Sequence, residues 1–139
     1  MNLATRCDEK KTFLYGHQRT MAIPHEIAMQ HAKEGLLREG FGVLFEIDMR
    51  EKFQEKLGID FRKYVILGVC NPLLAFEALQ EETNIGLFLP CNLVVYEEQG
   101  NTVVSVINAE KLLSLSGNPR LELAANVVNE RLQRVLESI

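Results

Sequence analysis

Tryptophan is absent from this chain, and cysteine (three), tyrosine (three) and proline (four) are scarce among its 139 residues. Three cysteines at uneven spacing build no disulfide framework, so packing and hydrogen bonding must hold the fold, as expected in a reducing compartment. No apolar run approaches the roughly 18 residues that span a bilayer. The longest, Tyr64–Cys70 and Ile85–Leu89, are strand-sized and interrupted by Gly68 and Gly86. The first eleven residues lack the apolar centre of a signal peptide and are read as a flexible tail (1–11) before a single domain (12–139). A cytoplasmic location is expected. An excess of positive charge is also missing: 15 Lys and Arg are scattered among 19 Asp and Glu, for a net charge of −4. Nucleic acid, which needs a basic stripe, is therefore not an expected partner. His17, His25 and His31 show no metal-binding spacing, there is no Cys-x-x-Cys, and the nine glycines form no phosphate or dinucleotide loop. No cofactor is indicated.

What remains is an ordinary globular composition, 47% apolar and 24% charged, able to bury about two-thirds of its unfolded surface. Period-two alternation predicts a first strand over Phe13–Met21, with Phe13, Tyr15 and His17 on one face. Pro24 suits the start of a helix to about Glu39, with Ile27, Ala28, Ala32, Gly35 and Leu36 inward and Gly40 closing it. Phe41–Ile47 alternates as a strand. Asp48 and Glu51 resemble a capping box for a short helix with Met49, Phe53 and Leu57 inward, ended by Gly58. Tyr64–Val69 reads as a central strand, after which Asn71 and Pro72 start a helix through Glu82 with Leu74, Ala75, Ala78 and Leu79 inward. Strand pieces Gly86–Leu89 and Asn92–Tyr96 are divided by Pro90, and Gln99-Gly100-Asn101 leads into a hairpin with Thr102–Ile107. Asn108 caps a short helix, and a last helix over Arg120–Glu137 carries an apolar stripe from Leu121 to Leu136. Hairpin-linked strands mixed with helices favour an α+β fold, a mainly antiparallel sheet with helices packed on one face.

Four segments, Glu39–Asp48, Lys56–Phe61, Tyr64–Pro72 and Gly86–Asn92, together resemble domain-of-unknown-function family 302. The resemblance runs from the first strand to Ile107. It implies a small α+β domain whose curved antiparallel sheet is backed by helices, similar in architecture to the TATA-binding-protein-like fold and often a homodimer, with no settled activity. The family's recurrent positions fall on Asp48, Lys56, Asp60, Tyr64, Cys70, Asn71, Cys91 and Asn92. The chain departs from the pattern at Arg62-Lys63, where the family tends to place proline before the tyrosine.

Chemistry is sought first at Cys70-Asn71 and Cys91-Asn92, each preceded by an apolar run. Cys70 stands one residue ahead of a helix cap, where the positive helix end is expected to lower its pKa. The competing reading is a cysteine that ends a buried strand as a small, inert apolar filler. Cys91 follows Pro90, where a broken strand can open a side chain to a cleft. Asn71 has a capping role and Asn92 can tie down a kinked backbone. Lys56 either complements its helix dipole or faces an anion or thiolate. Asp48 reads as an N-cap, and Tyr64 as core rim with a hydroxyl to satisfy. Two thiolates from separate strands would suit a soft ion such as Cu(I).

Three functional expectations follow. The first is a homodimer that binds a small ligand or soft metal in a cleft near Cys70 and Cys91, with Tyr64, Asn71 and Asn92 as contacts. The second is a thiol-dependent enzyme or sulfur carrier, with Cys70 or Cys91 as nucleophile and Lys56 lowering its pKa. The third is an interaction module whose Leu123 and Val127 flank, rimmed by Arg131 and Arg134, recruits a partner.

Overall fold

The computed structural model describes residues 7–139. Its strands are β1 (Asp8–Phe13), β2 (Gly16–Met21), β3 (Gly42–Asp48), β4 (Tyr64–Cys70), β5 (Cys91–Glu98) and β6 (Asn101–Ile107). They form one open sheet in the order β1-β2-β6-β5-β4-β3, and every neighbouring pair is antiparallel. The helices are α1 (His25–Arg38), α2 (Met49–Leu57), α3 (Pro72–Glu81), α4 (Ala109–Ser114) and α5 (Glu122–Glu137). The architecture is α+β.

Side chains alternate across a strand, so each strand offers one set to each face. Val65, Leu67 and Val69 of β4, Cys91, Leu93 and Val95 of β5, and Val104 and Val106 of β6 are buried under α1 and α5. Those helices answer with Ala28, Ala32 and Leu36 from α1 and Leu132 and Val135 from α5, all fully buried. Each buried Leu or Val stabilises by about 1.5–3 kcal/mol. Gly35 lets the two helices approach closely, since a Cβ there would stand 2.7 Å from Ser138 Oγ and 3.3 Å from Val135 Cγ1.

Local chemistry sets the helix starts. The side chain of Asp48 accepts from the Glu51 N–H (3.1 Å), Asn71 from Leu74 (3.3 Å) and Asn108 from Lys111 (3.0 Å). Gly40 and Gly58 end α1 and α2 in the left-handed conformation. Other expectations are corrected. Ile27, Leu79 and Leu57 are exposed, and α2 fully buries none of its residues, Met49 and Phe53 being half-buried. On α1 the expected Ala28, Ala32, Gly35 and Leu36 are buried, and His25 in place of Ile27 takes the buried position one turn before Ala28. Thr83–Phe88 is a 3-10 turn and not a strand, and the Leu89–Pro90 bond is cis. The strand expected over Phe13–Met21 is a hairpin broken at Leu14-Tyr15. Asp8–Lys11, expected as tail, belong to edge strand β1; they are exposed, so no apolar alternation marks them. The rest of that tail, residues 1–6, lies outside the described residues.

One buried polar group ties the layers together. Asn129 of α5 accepts with Oδ1 from the Ala109 N–H (3.2 Å) at the start of α4 and from His17 Nε2 (3.2 Å) in β2. With Nε2 donating, His17 Nδ1 accepts from the Thr12 hydroxyl at 3.0 Å. His25 Nε2 likewise donates to the Val95 carbonyl at 3.0 Å. At the C-terminal end of α5, Arg19 Nη1 donates to the carbonyls of Leu136, Glu137 and Ile139. Arg131 and Arg134, expected to rim a partner surface, bind the Glu39 carbonyl (3.3 Å) and carboxylate (3.0 Å) and so brace α5 against the end of α1.

Two stability predictions follow. Asn129→Ala orphans two buried donors and should cost about 2–4 kcal/mol in urea unfolding; a loss below about 1 kcal/mol would show that this tie does not hold the layers. On the helix-free face the Phe45 ring lies on Gly68, where a Cβ would stand 2.3 Å from ring carbons. Gly68→Ala should therefore cost about 1–3 kcal/mol, and the cost should vanish when Phe45 is already alanine.

Candidate functional site

The residues singled out from the sequence divide between two places. Cys70 ends β4 and Cys91 begins β5, directly across from Val69. Both line one cavity of about 30 Å³, with Asn71, Leu74, Ala78 and Val128 among its other walls. That is room for a water or two, in a mostly apolar lining. Burial pushes the Cys70 thiol up, and burial followed by the neighbouring Cys70 pushes Cys91 up to about 11. The lowered pKa expected for Cys70 is thus reversed by desolvation, while the Asn71 side chain caps the start of α3 by accepting from the Leu74 N–H. Lys56 belongs to neither place. It is exposed on α2, which follows the Asp48 end of β3, whereas Cys70 pairs with Gly42 at the other end. The two ends of that ladder are about 20 Å apart. Among the described residues no three His, Cys, Asp or Glu side chains come together as metal ligands.

Tyr64 and Asn92 lie elsewhere, on the face of the sheet that no helix covers. They line a hollow of about 630 Å³ together with Lys11, Phe13, Leu14, Tyr15, Gln18, Val94, Tyr96 and Ser105. The pairing of β4 with β5 sets Tyr64 opposite Tyr96, and the two rings stack with centroids 5.2 Å apart and 11° between planes. Phe61 and Phe53 extend the row beyond the sheet. The opposite wall is the β1–β2 hairpin tip, where Phe13 and Tyr15 meet edge to face at 4.8 Å. All three tyrosines of the chain line this hollow.

The tip is chemically out of place. Tight hairpin turns favour Asn and Gly, because they need positive φ, and the β5–β6 turn obeys with Gln99 (φ 51) and Gly100 (φ 79). The β1–β2 turn uses Leu14 and Tyr15 with no positive φ, leaving Leu14 77% and Tyr15 68% exposed. Large apolar side chains at a hairpin tip gain nothing from folding, and such breaches of local rules cluster at functional sites.

A family model described as domain of unknown function DUF302 matches residues 17–139. This chain belongs to the DUF302 family. Among solved structures it is similar to one titled "uncharacterized conserved protein DUF302" from Bacillus stearothermophilus, with 35% identity, a TM-score of 0.85, and coverage of 91% of this chain and 98% of that one. No curated protein matches. The family match begins at His17, so β1 and the Leu14-Tyr15 tip precede it.

Of the positions the DUF302 resemblance singled out, Asp48 and Asn71 are helix caps. Asp60 is exposed, 3.5 Å from Arg50. Cys70 and Cys91 share the small cavity, and only Tyr64 and Asn92 reach the hollow. The contacts missed from the sequence are Tyr15, Tyr96, Gln18 and Lys11. Tyr96 had a usable signal, since it alternates with the buried Val95 on a strand; Tyr15 had none, because nothing marks its turn.

The thiols give a direct check. A shift from 9.0 to about 11 leaves about a hundredfold less thiolate at neutral pH. Iodoacetamide at pH 7.5 should alkylate Cys91 at least that much more slowly in the native protein than in urea, as read by peptide mass spectrometry. Because the folded state holds the Cys91 proton more tightly, the associated stability is complete below pH 9 and is lost as pH rises towards 11. Cys91→Ala should flatten that part of the pH–stability curve; equal alkylation rates in the two states would contradict the burial effect.

Proposed function

We propose that this DUF302 chain is a small-ligand-binding domain whose site is the hollow on the helix-free face of the sheet. The gathering of all three tyrosines around one open hollow carries the reading. Its volume of about 630 Å³ falls within the usual range of ligand sites, 300 to 1,000 Å³ or so, and its lining mixes aromatic walls with a few polar groups, as such sites do. The polar groups are Asn92, Gln18 and Ser105, able to donate and accept. Among the described residues the lining holds no carboxylate, imidazole or thiol, and its Lys11 and tyrosine hydroxyls suit recognition of a guest by charge and hydrogen bonds. A site at Cys70 and Cys91 is less favoured, because that cavity has room for little more than water and its thiols are held protonated.

The chain supplies its own reporter. With no tryptophan and every tyrosine at the hollow, tyrosine emission reads this site alone. In a fragment screen, binders should change tyrosine emission and shift the Gln18, Asn92 and Ser105 amide resonances. Tyr96→Ala should weaken them by about tenfold or more, the loss of one aromatic wall. Binders that shift only residues around Cys70 and Cys91 would refute the proposal.

A further inference from the structure

We infer that the hollow is shaped for a flat conjugated ring carrying one negative charge, a deepening that rests on its being a ligand site. Flatness comes from the walls. The stacked Tyr64 and Tyr96 rings form one side and the edge-to-face pair of Phe13 and Tyr15 the other. Aromatic faces reward a planar guest with offset or edge contacts that a puckered aliphatic ring cannot match.

The sign of the charge comes from the lining. The whole chain is acidic, at −4, yet the one charged residue that lines the hollow among those described is Lys11. No carboxylate of the described residues pairs with it. Glu97, next to Tyr96 on β5, does not line the hollow, and Glu98 is matched by Arg62 at 3.3 Å. Burial, followed by the Glu98 carboxylate, raises the Tyr96 phenol, so it remains an O–H donor at neutral pH. The Asn92 amide adds further donors on the same wall. A cationic guest would meet Lys11 as a like charge, and a neutral one would leave it unanswered.

Four probes separate the parts of this inference: 2-naphthoate, its neutral amide, 2-naphthyltrimethylammonium and cyclohexanecarboxylate, each titrated at low salt and followed by amide shifts of Gln18, Asn92 and Ser105. The expected result is that 2-naphthoate binds about two- to fivefold more tightly than the amide, the effect of one exposed ion pair. Lys11→Gln, or about 0.5 M salt, should remove that advantage while the amide still binds. Naphthoate no tighter than the amide, or the ammonium tighter than both, would overturn the assignment of charge. Cyclohexanecarboxylate equal to naphthoate would overturn the flat ring. Either result leaves the hollow as a ligand site, whereas no shift at those amides with any probe at several millimolar would overturn the site itself.

Discussion

Two helices must cover a six-stranded sheet, and α1 and α5 lie against only one of its faces. On that face the consequences are those of any dry core: Val, Leu and Ala interlock without exposed area, and small residues such as Gly35 bring the helices together. The other face has to be built from groups that tolerate water. Strand β5 shows the division within one segment, with Cys91, Leu93 and Val95 buried and Asn92, Val94 and Tyr96 on the free side. Aromatic residues suit that side because stacking removes apolar area from water while leaving a hydroxyl exposed. Tyr64 on Tyr96 is an instance of that solution, and Phe45 on Gly68 achieves the first half of it by covering apolar area without a hydroxyl.

One-sided cover also explains where the buried polar groups sit. A layer held only by apolar contact could slide, so direction has to come from hydrogen bonds. Asn129 fixes α5 to β2 and to the start of α4, His25 fixes the start of α1 to β5, and Arg19 fixes the end of α5 to the β1–β2 hairpin side of the sheet. Among the described residues no buried side-chain nitrogen or oxygen lacks a partner. The two buried histidines, His17 and His25, therefore act as oriented hydrogen-bonding links between layers.

What was legible in the sequence was whatever local physics decides alone. Asp48, Asn71 and Asn108 announce helix starts because the oxygen of a short side chain satisfies a free N–H, and they do so here. The stripe from Leu121 to Leu136 and the continuous run of β4 are long enough for periodicity to be unambiguous. Elements decided by tertiary context were not legible. Strand β1 is held as an edge by its neighbour with Phe13 as its one large apolar residue, and α2 is amphipathic in sequence but only half-buries Met49 and Phe53 at the edge of the fold. The candidate site was half legible for the same reason: Tyr64 and Asn92 could be picked out, but strand pairing brings Tyr64 to Tyr96 and an unmarked turn brings Tyr15 to both.

The thiols show why residue type alone misdirects. A helix terminus favours a thiolate by about 0.3–1 kcal/mol when its N–H groups are free and the site is wet. In this chain the Asn71 side chain already caps the Leu74 N–H, and the cavity beside Cys70 is small and mostly apolar. At Cys91 the opposing effect, a rise from 9.0 to about 11, corresponds to about 2–3 kcal/mol against ionisation. Burial therefore outweighs any help from the helix, and Cys70 moves in the same direction. The most reactive side chains of the sequence are thus held where reaction is hardest. The hairpin tip is the converse case, for Leu14 and Tyr15 are large side chains that remain mostly in water. Among the described residues the buried polar side-chain atoms are satisfied, whereas these two side chains stand exposed at the rim of the tyrosine-lined hollow, where the proposed guest would cover them.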